Sequence, residues 1–289
     1  MKLAPLTLVA ALLSVHPALA ETRQVWESPA ATVAQTVGIT DLEITYHRPG
    51  VKGREIWGKL VPYGEVWRAG ANDATTLSFS TPVKVAGKNV AAGKYALFML
   101  PTKEKWTFIL AKNPEQWGAY AYKPVEDVLR FDVTPAAAAP KEWLAFDIDL
   151  QGKNTAIVAL HWDKLRGSFP IEVDVDGGFQ AYLAAEVAKA DGLKDEKERW
   201  NTYFTAAKYW IGRNEKLDEA GKLLDKSDKL GMNAWSYEYR ARLLVKQGKV
   251  AQALPLLDKA KTAAAGKFPK EYLEGIDKLR AEWTAPKKK

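Results

Sequence analysis

The sequence contains no cysteine and only three histidines, and these absences narrow the chemistry open to it. Without cysteine there are no disulfide bonds, no thiolate metal ligands and no thiol nucleophile. Zinc sites usually gather two or more imidazoles, and His16 falls in a segment interpreted below as a signal peptide. His47 and His161 could still pair as ligands or supply a general base, although hydrogen-bonded structural histidines are commoner. We therefore expect no metal site and no cofactor.

Motifs of nucleophilic catalysis, nucleotide binding and calcium binding are also missing or incomplete. No Gly-x-Ser-x-Gly nucleophile motif occurs. The stretch Gly53–Leu60 imitates a phosphate-binding loop, but Leu60 stands where a metal-binding hydroxyl is required. A calcium-loop pattern begins at Asp174, but its twelfth position is Ala185 instead of glutamate. None of these three motifs assigns an activity.

The N-terminus carries an apolar run too short to cross a membrane. Lys2 precedes the run Leu3–Val15, and Ala18–Ala20 supplies the small-x-small pattern that signal peptidase reads. A membrane-spanning helix requires about 20 apolar residues. We therefore predict a signal peptide at residues 1–20, cleaved after Ala20. The mature chain should be exported, periplasmic or secreted, and soluble, with no transmembrane segment.

Charge and proline divide the mature chain into two unlike parts. Residues 21–175 hold 18 basic and 18 acidic side chains, whereas residues 176–289 hold 23 and 17. Ten of the fifteen prolines lie in the first part, and alanine, leucine and lysine become common in the second. The sequence predicts an all-β domain at 21–175 and an all-α domain at 176–289. Because the basic residues are spread among acidic ones, we do not expect a nucleic-acid partner.

The first part alternates between apolar and polar residues as β-strands do. Turn residues separate the strands, and two tight hairpins are predicted at Val83–Asn89 and Asp149–Asn154. Such a series is typical of an antiparallel sandwich or jelly roll. The nine predicted strands are Thr36–Tyr46, Thr75–Ser80, Val83–Ala86, Lys94–Leu100, Lys105–Leu110, Asp127–Val133, Trp143–Leu150, Thr155–Trp162 and Phe169–Val175.

The second part contains an internal repeat of helical period. Residues 214–224 match residues 247–257, with Ala220 and Ala253 in equivalent places. This resembles tetratricopeptide helical hairpins, in which the small residue lets two helices approach closely. Two alternatives stay open: a bundle that caps the sandwich, or a concave surface for a peptide or protein partner. The predicted helices are Arg199–Ile211, Trp235–Val245, and flanking segments at Tyr182–Lys189 and Lys270–Trp283.

A long segment after the first predicted strand, residues 46–75, is the densest in glycine, arginine and aromatic residues. Loops of this length are usually functional or tightly packed on the fold. Its arginines, Arg48, Arg54 and Arg68, could hold an anionic ligand through forked hydrogen bonds. Alternatively, they pair with the loop carboxylates Glu55, Glu65 and Asp73 and pin the loop.

Aromatic residues in and near this loop have two interpretations. They could form a stacking platform for sugars or other flat ligands, or they could simply pack in the core. These residues are Trp57, Tyr63, Trp67, Trp117, Tyr120 and Tyr122. Three further tryptophans, Trp106, Trp143 and Trp162, lie in predicted strands and should be core.

The residues from Ser28 to Val175 also resemble a bacterial family, the domain of unknown function 2911. The resemblance is carried by Ser28–Gln35, Tyr46–Arg54, Ile56–Thr75, Gly93–Phe98 and Gln116–Tyr122. It implies an exported β-rich domain, often followed by helical repeats. It implies no activity, so no catalytic residue is carried over.

Two functions are compatible with these observations. The first is a non-catalytic module that binds a small molecule or glycan at the β domain and a partner at the helical domain. The second is a hydrolase of envelope or extracellular carbohydrate that uses Glu55, Glu65 or Asp73 as acid and base. The sequence leaves open whether the protein is an enzyme. The candidate ligand-binding residues are Tyr46, Arg48, Arg54, Tyr63, Trp67, Arg68, Asn72, Trp117 and Tyr120.

Overall fold

The computed structural model describes residues 25–285, in which ten strands precede six α-helices. The predicted signal peptide at residues 1–20 lies outside the described residues. The strands are β1 (Ala30–Val37), β2 (Thr40–His47), β3 (Thr76–Phe79), β4 (Val83–Val85), β5 (Lys88–Val90), β6 (Gly93–Pro101), β7 (Trp106–Ala111), β8 (Asp127–Val133), β9 (Ala136–Leu150) and β10 (Thr155–Val173). The helices are α1 (Val175–Ala190), α2 (Glu196–Arg213), α3 (Leu217–Leu230), α4 (Ala234–Lys246), α5 (Val250–Ala264) and α6 (Lys270–Thr284).

The strands form two antiparallel sheets that share one core. The larger sheet has the order β1-β2-β3-β6-β7-β8, and the smaller has the order β5-β4-β10-β9. Side chains from both sheets meet between them: the rings of Tyr46 and Phe146 lie 5.0 Å apart, and those of Phe108 and Phe169 also lie 5.0 Å apart. Alternate residues of each strand face this core, as in other sandwiches. The predicted β domain followed by a helical domain is confirmed.

The first predicted strand, Thr36–Tyr46, is wrong, because two strands meet there in a hairpin. Gly38 has a φ of 63° and begins a two-residue turn between β1 and β2. A positive φ at this first turn position is what the tight hairpin requires, and glycine adopts it without strain. A Cβ at Gly38 would also lie 2.7 Å from Val175 Cγ1. The predicted hairpin at Val83–Asn89 is confirmed, with Ala86 and Gly87 both at positive φ.

Strand β10 is longer than predicted and joins two predicted strands, Thr155–Trp162 and Phe169–Val175. Its pairing with β9 shifts register around Asp163, which has a φ of 52°. A bulge of this kind bends a strand without ending it. The prediction that Trp143 is core is wrong, because its side chain is 38% exposed. On β9 the neighbouring Leu144 faces the core, so the alternation points Trp143 outward.

The six helices form antiparallel pairs, as the repeat predicts. The two matched segments fall at α3 and α5, each packed on the helix before it. Ala220 and Ala253 are completely buried at these contacts. Asn214 follows α2 at a φ of 58°, so asparagine serves there as the left-handed terminator that glycine usually provides. In the described part of the chain, no helix is long and apolar enough to cross a membrane.

Candidate functional site

The long loop between β2 and β3 closes one end of the sandwich. Ile56, Val61 and Ala69 are buried in the sandwich core. Main-chain bonds fix the loop to both sheets: the Trp67 N–H donates to Met99 O, and the Val51 N–H donates to Glu142 O. Because these contacts hold the backbone on both sides, the loop is a rigid part of the fold. Its remaining side chains are therefore presented in fixed positions.

Four tryptophans pack together beneath this loop. Trp57 lies 4.7 Å from Trp106 and 6.1 Å from Trp67 between ring centroids. Trp67 stacks on Trp162 with centroids 5.9 Å apart and planes 16° apart. Trp106 and Trp162 are buried, as predicted, whereas Trp67 is only partly covered. The cluster forms an apolar floor with Trp67 at its edge.

A cavity of about 500 Å³ opens beside Trp67, between the loop and the N-terminal segment. This volume is within the range of pockets that hold small organic molecules. Four of the nine predicted ligand-binding residues line it: Arg54, Trp67, Arg68 and Asn72. The other residues that line it are Glu27, Ser28, Pro49, Gly50, Lys52, Leu60, Val61, Gly70, Ala71 and Trp162. We call this space the arginine cavity.

The three loop arginines do not pair with the loop carboxylates. Among residues 25–285, no ion pair within 4.0 Å joins Arg48, Arg54 or Arg68 to an acidic group. The Arg48 Nε donates to Leu144 O at 2.8 Å, and Arg54 donates to the carbonyls of Val51 and Gly50. These bonds pin the two side chains but leave their charges unneutralised.

Arg68 differs from the other two arginines. Its Nε is buried and makes no hydrogen bond within the described chain. Buried polar groups nearly always have a partner, because an unmade bond costs about 1–3 kcal/mol, and more for a charged group. The cavity also carries Lys52 and Arg54 against the single carboxylate of Glu27, which lies 3.4 Å from the Lys52 Nζ. The arginine cavity therefore has a net positive lining, and one of the arginines that line it, Arg68, has a buried nitrogen without a partner in the described residues.

Five predicted site residues lie elsewhere. Tyr46 is a core residue whose hydroxyl accepts from the Phe146 N–H at 3.1 Å. Tyr63 packs over Gly58, where a Cβ would lie 2.6 Å from its ring. Arg48 is held by a backbone carbonyl, as described above. Trp117 is 48% exposed and Tyr120 is 85% exposed, and neither lines the arginine cavity.

The aromatic residues proposed as a platform therefore do not share one surface. Trp57 and Trp67 belong to the tryptophan cluster. Trp117 lies 5.6 Å from Trp26, and Tyr122 packs on Phe98 at 5.1 Å. No sequence pattern near Trp26 distinguishes it as a neighbour of Trp117.

His47 lies next to the arginine cavity on β2. Burial lowers the pKa of His47, and the charge of Arg68 lowers it further, whereas Asp73 acts in the opposite direction. His161 contacts the Ala139 carbonyl through Nε2 at 2.9 Å, as a structural histidine does. Within residues 25–285, no three acidic or histidine side chains are grouped so as to hold a metal ion.

The carboxylates required by the hydrolase alternative do not face one another across this cavity. Glu55, Glu65 and Asp73 are exposed, and none of them lines the arginine cavity. Glu27, its one carboxylate, is engaged with Lys52. A glycosidase mechanism requires two carboxyl groups on either side of the bond to be cleaved. Among the described residues, the arginine cavity therefore lacks the two facing carboxylates that this mechanism requires.

A second cavity lies in the helical part. It has a volume of about 570 Å³, and seven aromatic rings from α1, α2, α4 and α6 line it: Phe179, Trp200, Phe204, Tyr209, Trp235, Tyr239 and Tyr272. The Trp200 indole N–H and the Tyr209 hydroxyl are buried without a hydrogen-bond partner in the described residues. Burial raises the pKa of Tyr272, and the charge of Glu238 raises it further. We call this space the aromatic groove.

Charged residues of the aromatic groove are arranged differently from those of the β domain. Glu238 is buried, and Arg242 donates to it from Nε at 2.8 Å and from Nη2 at 2.7 Å. Lys208 is exposed and lies 5.6 Å from the centre of the Tyr239 ring. Glu238, which lines the groove, is thus neutralised by Arg242 from outside the lining, and Lys208 is an available cation of the groove. Lys208 occupies a repeat position where tetratricopeptide hairpins usually have a small residue, and it faces the groove.

Sequence reasoning missed several residues of the arginine cavity. Lys52, Gly70 and Ala71 lie within the loop that composition singles out, but no pattern distinguishes them from their neighbours. Glu27 and Ser28 come from outside the loop, and the Asn72 Nδ2 donates to the Ser28 carbonyl at 3.3 Å. Contacts between segments that are distant in sequence cannot be inferred from spacing alone.

A scan against family models matches residues 28–171 to the family described as "Protein of unknown function (DUF2911)". Neither the search of curated proteins nor the search of solved structures gives a match. The matched range runs from Ser28 to strand β10, so it contains every residue that lines the arginine cavity except Glu27. Through its β-rich part, the chain belongs to the DUF2911 family, a family of unknown function, and carries tetratricopeptide-like helical hairpins after it.

Proposed function

We propose that this protein is an exported, non-catalytic binding module. Its β domain, residues 21–175, holds a small anionic ligand in the arginine cavity. Its helical domain, residues 176–289, contacts a peptide or protein partner through the aromatic groove. Export follows from the predicted signal peptide, and N-terminal sequencing of the secreted protein should find Glu21 as the first residue.

The main observation in support of the β-domain site is the unpartnered guanidinium nitrogen of Arg68. A buried guanidinium nitrogen without a protein partner is costly unless a ligand supplies the missing acceptor. Charge-assisted hydrogen bonds from arginine to carboxylate or phosphate are among the strongest in proteins. The excess of cationic groups in the cavity lining favours the same class of ligand.

The aromatic groove supports the second half of the proposal. Aromatic side chains supply most of the binding energy at many protein interfaces, because each buries a large apolar area. Here they are combined with the available ammonium group of Lys208 and with two unpartnered donors, the Trp200 indole N–H and the Tyr209 hydroxyl. Such a lining suits a segment that carries apolar side chains and hydrogen-bond acceptors.

Isothermal titration calorimetry of the full mature chain tests the β-domain site. Acidic sugars, neutral sugars, acidic peptides and small anions should be titrated into the wild type, Arg68→Met and Arg166→Met. Arg166 lies on β10, is partly exposed and does not line the cavity, so it is a matched control. We expect an acidic compound to bind the wild type and the control, and to bind Arg68→Met at least about tenfold more weakly. Equal binding by all three proteins would remove the arginine cavity from consideration.

A peptide library displayed on phage tests the groove. Peptides selected on the wild type should be compared with Lys208→Glu and Trp235→Ala, two exposed positions whose substitution leaves the helical core intact. We expect the selected peptides to lose binding to both variants. Binding that is unchanged in both would place any partner surface elsewhere.

A further inference from the structure

The backbone of residues 68–72 is held by hydrogen bonds to three of its carbonyls. The carbonyls of Arg68, Ala69 and Asn72 accept bonds within the protein, from the Thr75 N–H, the Thr75 Oγ1 and the Gly118 N–H. The N–H groups of Gly70, Ala71 and Asn72 donate to no acceptor in residues 25–285. Residues 68–72 thus accept three bonds, whereas within residues 25–285 the carbonyls of Gly70 and Ala71 accept none and the N–H groups of Gly70, Ala71 and Asn72 donate none.

These unused donors lie at the arginine cavity. Gly70, Ala71 and Asn72 all line it, and Gly70 and Ala71 are buried. Buried backbone N–H groups without a partner are rare in folded proteins. Successive N–H groups at a turn that enters the left-handed region form a concave surface suited to an anion. Here they adjoin the guanidinium of Arg68, whose Nε is also unpartnered.

The loop is held in this conformation before any ligand arrives. Ala69 and Asn72 have φ values of 51° and 55°, in the left-handed region that residues other than glycine rarely adopt. The Thr75 hydroxyl bond to Ala69 O and the Asn72 bond to Ser28 O maintain it. At Gly70 there is no room for a side chain, because a Cβ would lie 2.9 Å from the Thr75 Oγ1 and 3.1 Å from the His47 carbonyl oxygen. A backbone fixed in this way loses little entropy on binding.

We infer that the Gly70–Asn72 backbone amides and the Arg68 guanidinium together bind the oxyanion of a small organic acid, whose remaining atoms lie against Trp67. The inference rests on the proposed ligand site of the β domain and adds the group that is recognised and the atoms that recognise it. The oxyanion is a carboxylate or a phosphate, since both accept several hydrogen bonds from converging donors. Trp67 and Trp162, which stack on each other and line the cavity, favour a ligand with an apolar face, such as the ring of an acidic sugar.

Amide chemical shifts test this directly. The ¹⁵N-labelled mature protein should be titrated with D-glucuronate, D-glucose 6-phosphate and D-glucose, which share a ring but differ in the acidic group. We expect saturable downfield movement of the Gly70, Ala71 and Asn72 amide protons with at least one acid and none with glucose. A response to glucuronate alone identifies a carboxylate site, and a response to glucose 6-phosphate alone identifies a phosphate site.

A matched pair of variants separates backbone recognition from the asparagine side chain. Asn72→Gly and Asn72→Val both remove the carboxamide, but only glycine retains the left-handed conformation easily. We expect Asn72→Gly to keep the affinity of the responding acid within about threefold, and Asn72→Val to lose about tenfold or more.

Two results would overturn the inference. If Arg68 and Trp67 signals respond to an acid while the three amides do not move, the cavity binds ligands without these amides, and only the proposed function survives. If no signal of the cavity responds to either acid, the inferred ligand class is wrong. The calorimetric panel then decides separately whether the cavity binds anything.

Discussion

The arginine cavity and the aromatic groove have similar volumes, about 500 and 570 Å³, but they offer a ligand different kinds of group. The arginine cavity is built on an irregular loop, so it can present backbone amides together with Arg68. The aromatic groove is built on helices, whose N–H groups are consumed in bonds to the preceding turn. It can therefore recognise a partner only through side chains. One chain thus carries a site suited to a compact anion and a surface suited to an apolar segment.

Arg242, which pairs with a buried carboxylate, and Arg68, which has no acidic partner in the described residues, provide the strongest test of this contrast. Replacing Arg242 by methionine leaves Glu238, whose side chain is 8% exposed, without its partner. We expect the free energy of unfolding to fall by about 2–3 kcal/mol, because a buried charge becomes uncompensated. Arg68→Met should change it by less than about 1 kcal/mol, because no protein group loses a partner. Urea unfolding measures both values.

The double variant Arg242→Met with Glu238→Gln is the control for this comparison. Removing the carboxylate charge should recover part of the lost stability. A loss for Arg68→Met equal to that for Arg242→Met would show that Arg68 stabilises the fold, and the contrast between the two cavities would then fail.

Substitutions at the close contacts between paired helices should give the next largest loss of stability. Ala220→Leu or Ala253→Leu inserts three carbon atoms at a fully buried contact between paired helices. We expect each to lower the free energy of unfolding by about 1–3 kcal/mol. Ala281→Leu on the exposed side of α6 should have little effect. Thermal unfolding followed by circular dichroism at 222 nm measures this, and an effect of Ala281→Leu as large as the others would contradict the assignment.

Ionic strength should affect ligand binding differently at the two cavities, and we expect this effect to be smaller than the stability changes above. Binding of an acid in the arginine cavity depends on cations that are partly screened by salt. Raising sodium chloride from about 50 to 500 mM, which shortens the Debye length about threefold, should weaken that binding several-fold. Binding of an uncharged apolar peptide in the aromatic groove should be unchanged or slightly stronger. Calorimetry in both salts makes the comparison.

Protonation of His47 should make the stability of the fold depend on pH, and this is the smallest of the expected effects. Burial holds its pKa below the ordinary value, so the unfolded chain binds a proton more readily than the folded chain. The His47 contribution to stability is therefore full at neutral pH and is lost as the pH falls through the ordinary histidine pKa, about 6.5. The wild type should lose more stability than His47→Gln between pH 7.5 and 5.5. Equal losses in the two proteins would show that His47 does not contribute.

Sequence patterns predicted the elements better than they predicted the site. Alternation located most of the sandwich strands, and the 33-residue repeat located the helical pairs, because both depend on neighbours along the chain. Gly38 was passed over within an alternating run, and β10 was divided because the bulge at Asp163 breaks the alternation. Both errors arise where one residue changes the direction of a strand.

Composition identified the loop that borders the arginine cavity, but it did not identify which residues line that cavity. The loop was identified from its arginines, glycines and aromatic residues, and Arg54, Trp67, Arg68 and Asn72 do line one cavity. Trp117 and Tyr120 lie elsewhere, because proximity in sequence does not determine which face of the fold a loop covers. The unused amides of Gly70–Asn72 have no signature in the sequence, since they depend on backbone conformation.

A crystal structure of the mature protein grown with saturating D-glucuronate or D-glucose 6-phosphate tests the central claim most directly. The account predicts an acid in the arginine cavity, with an acidic oxygen about 2.7–3.2 Å from a nitrogen of the Arg68 guanidinium. It would be contradicted by a cavity that holds only water in both crystals while Arg68 pairs with a protein carboxylate.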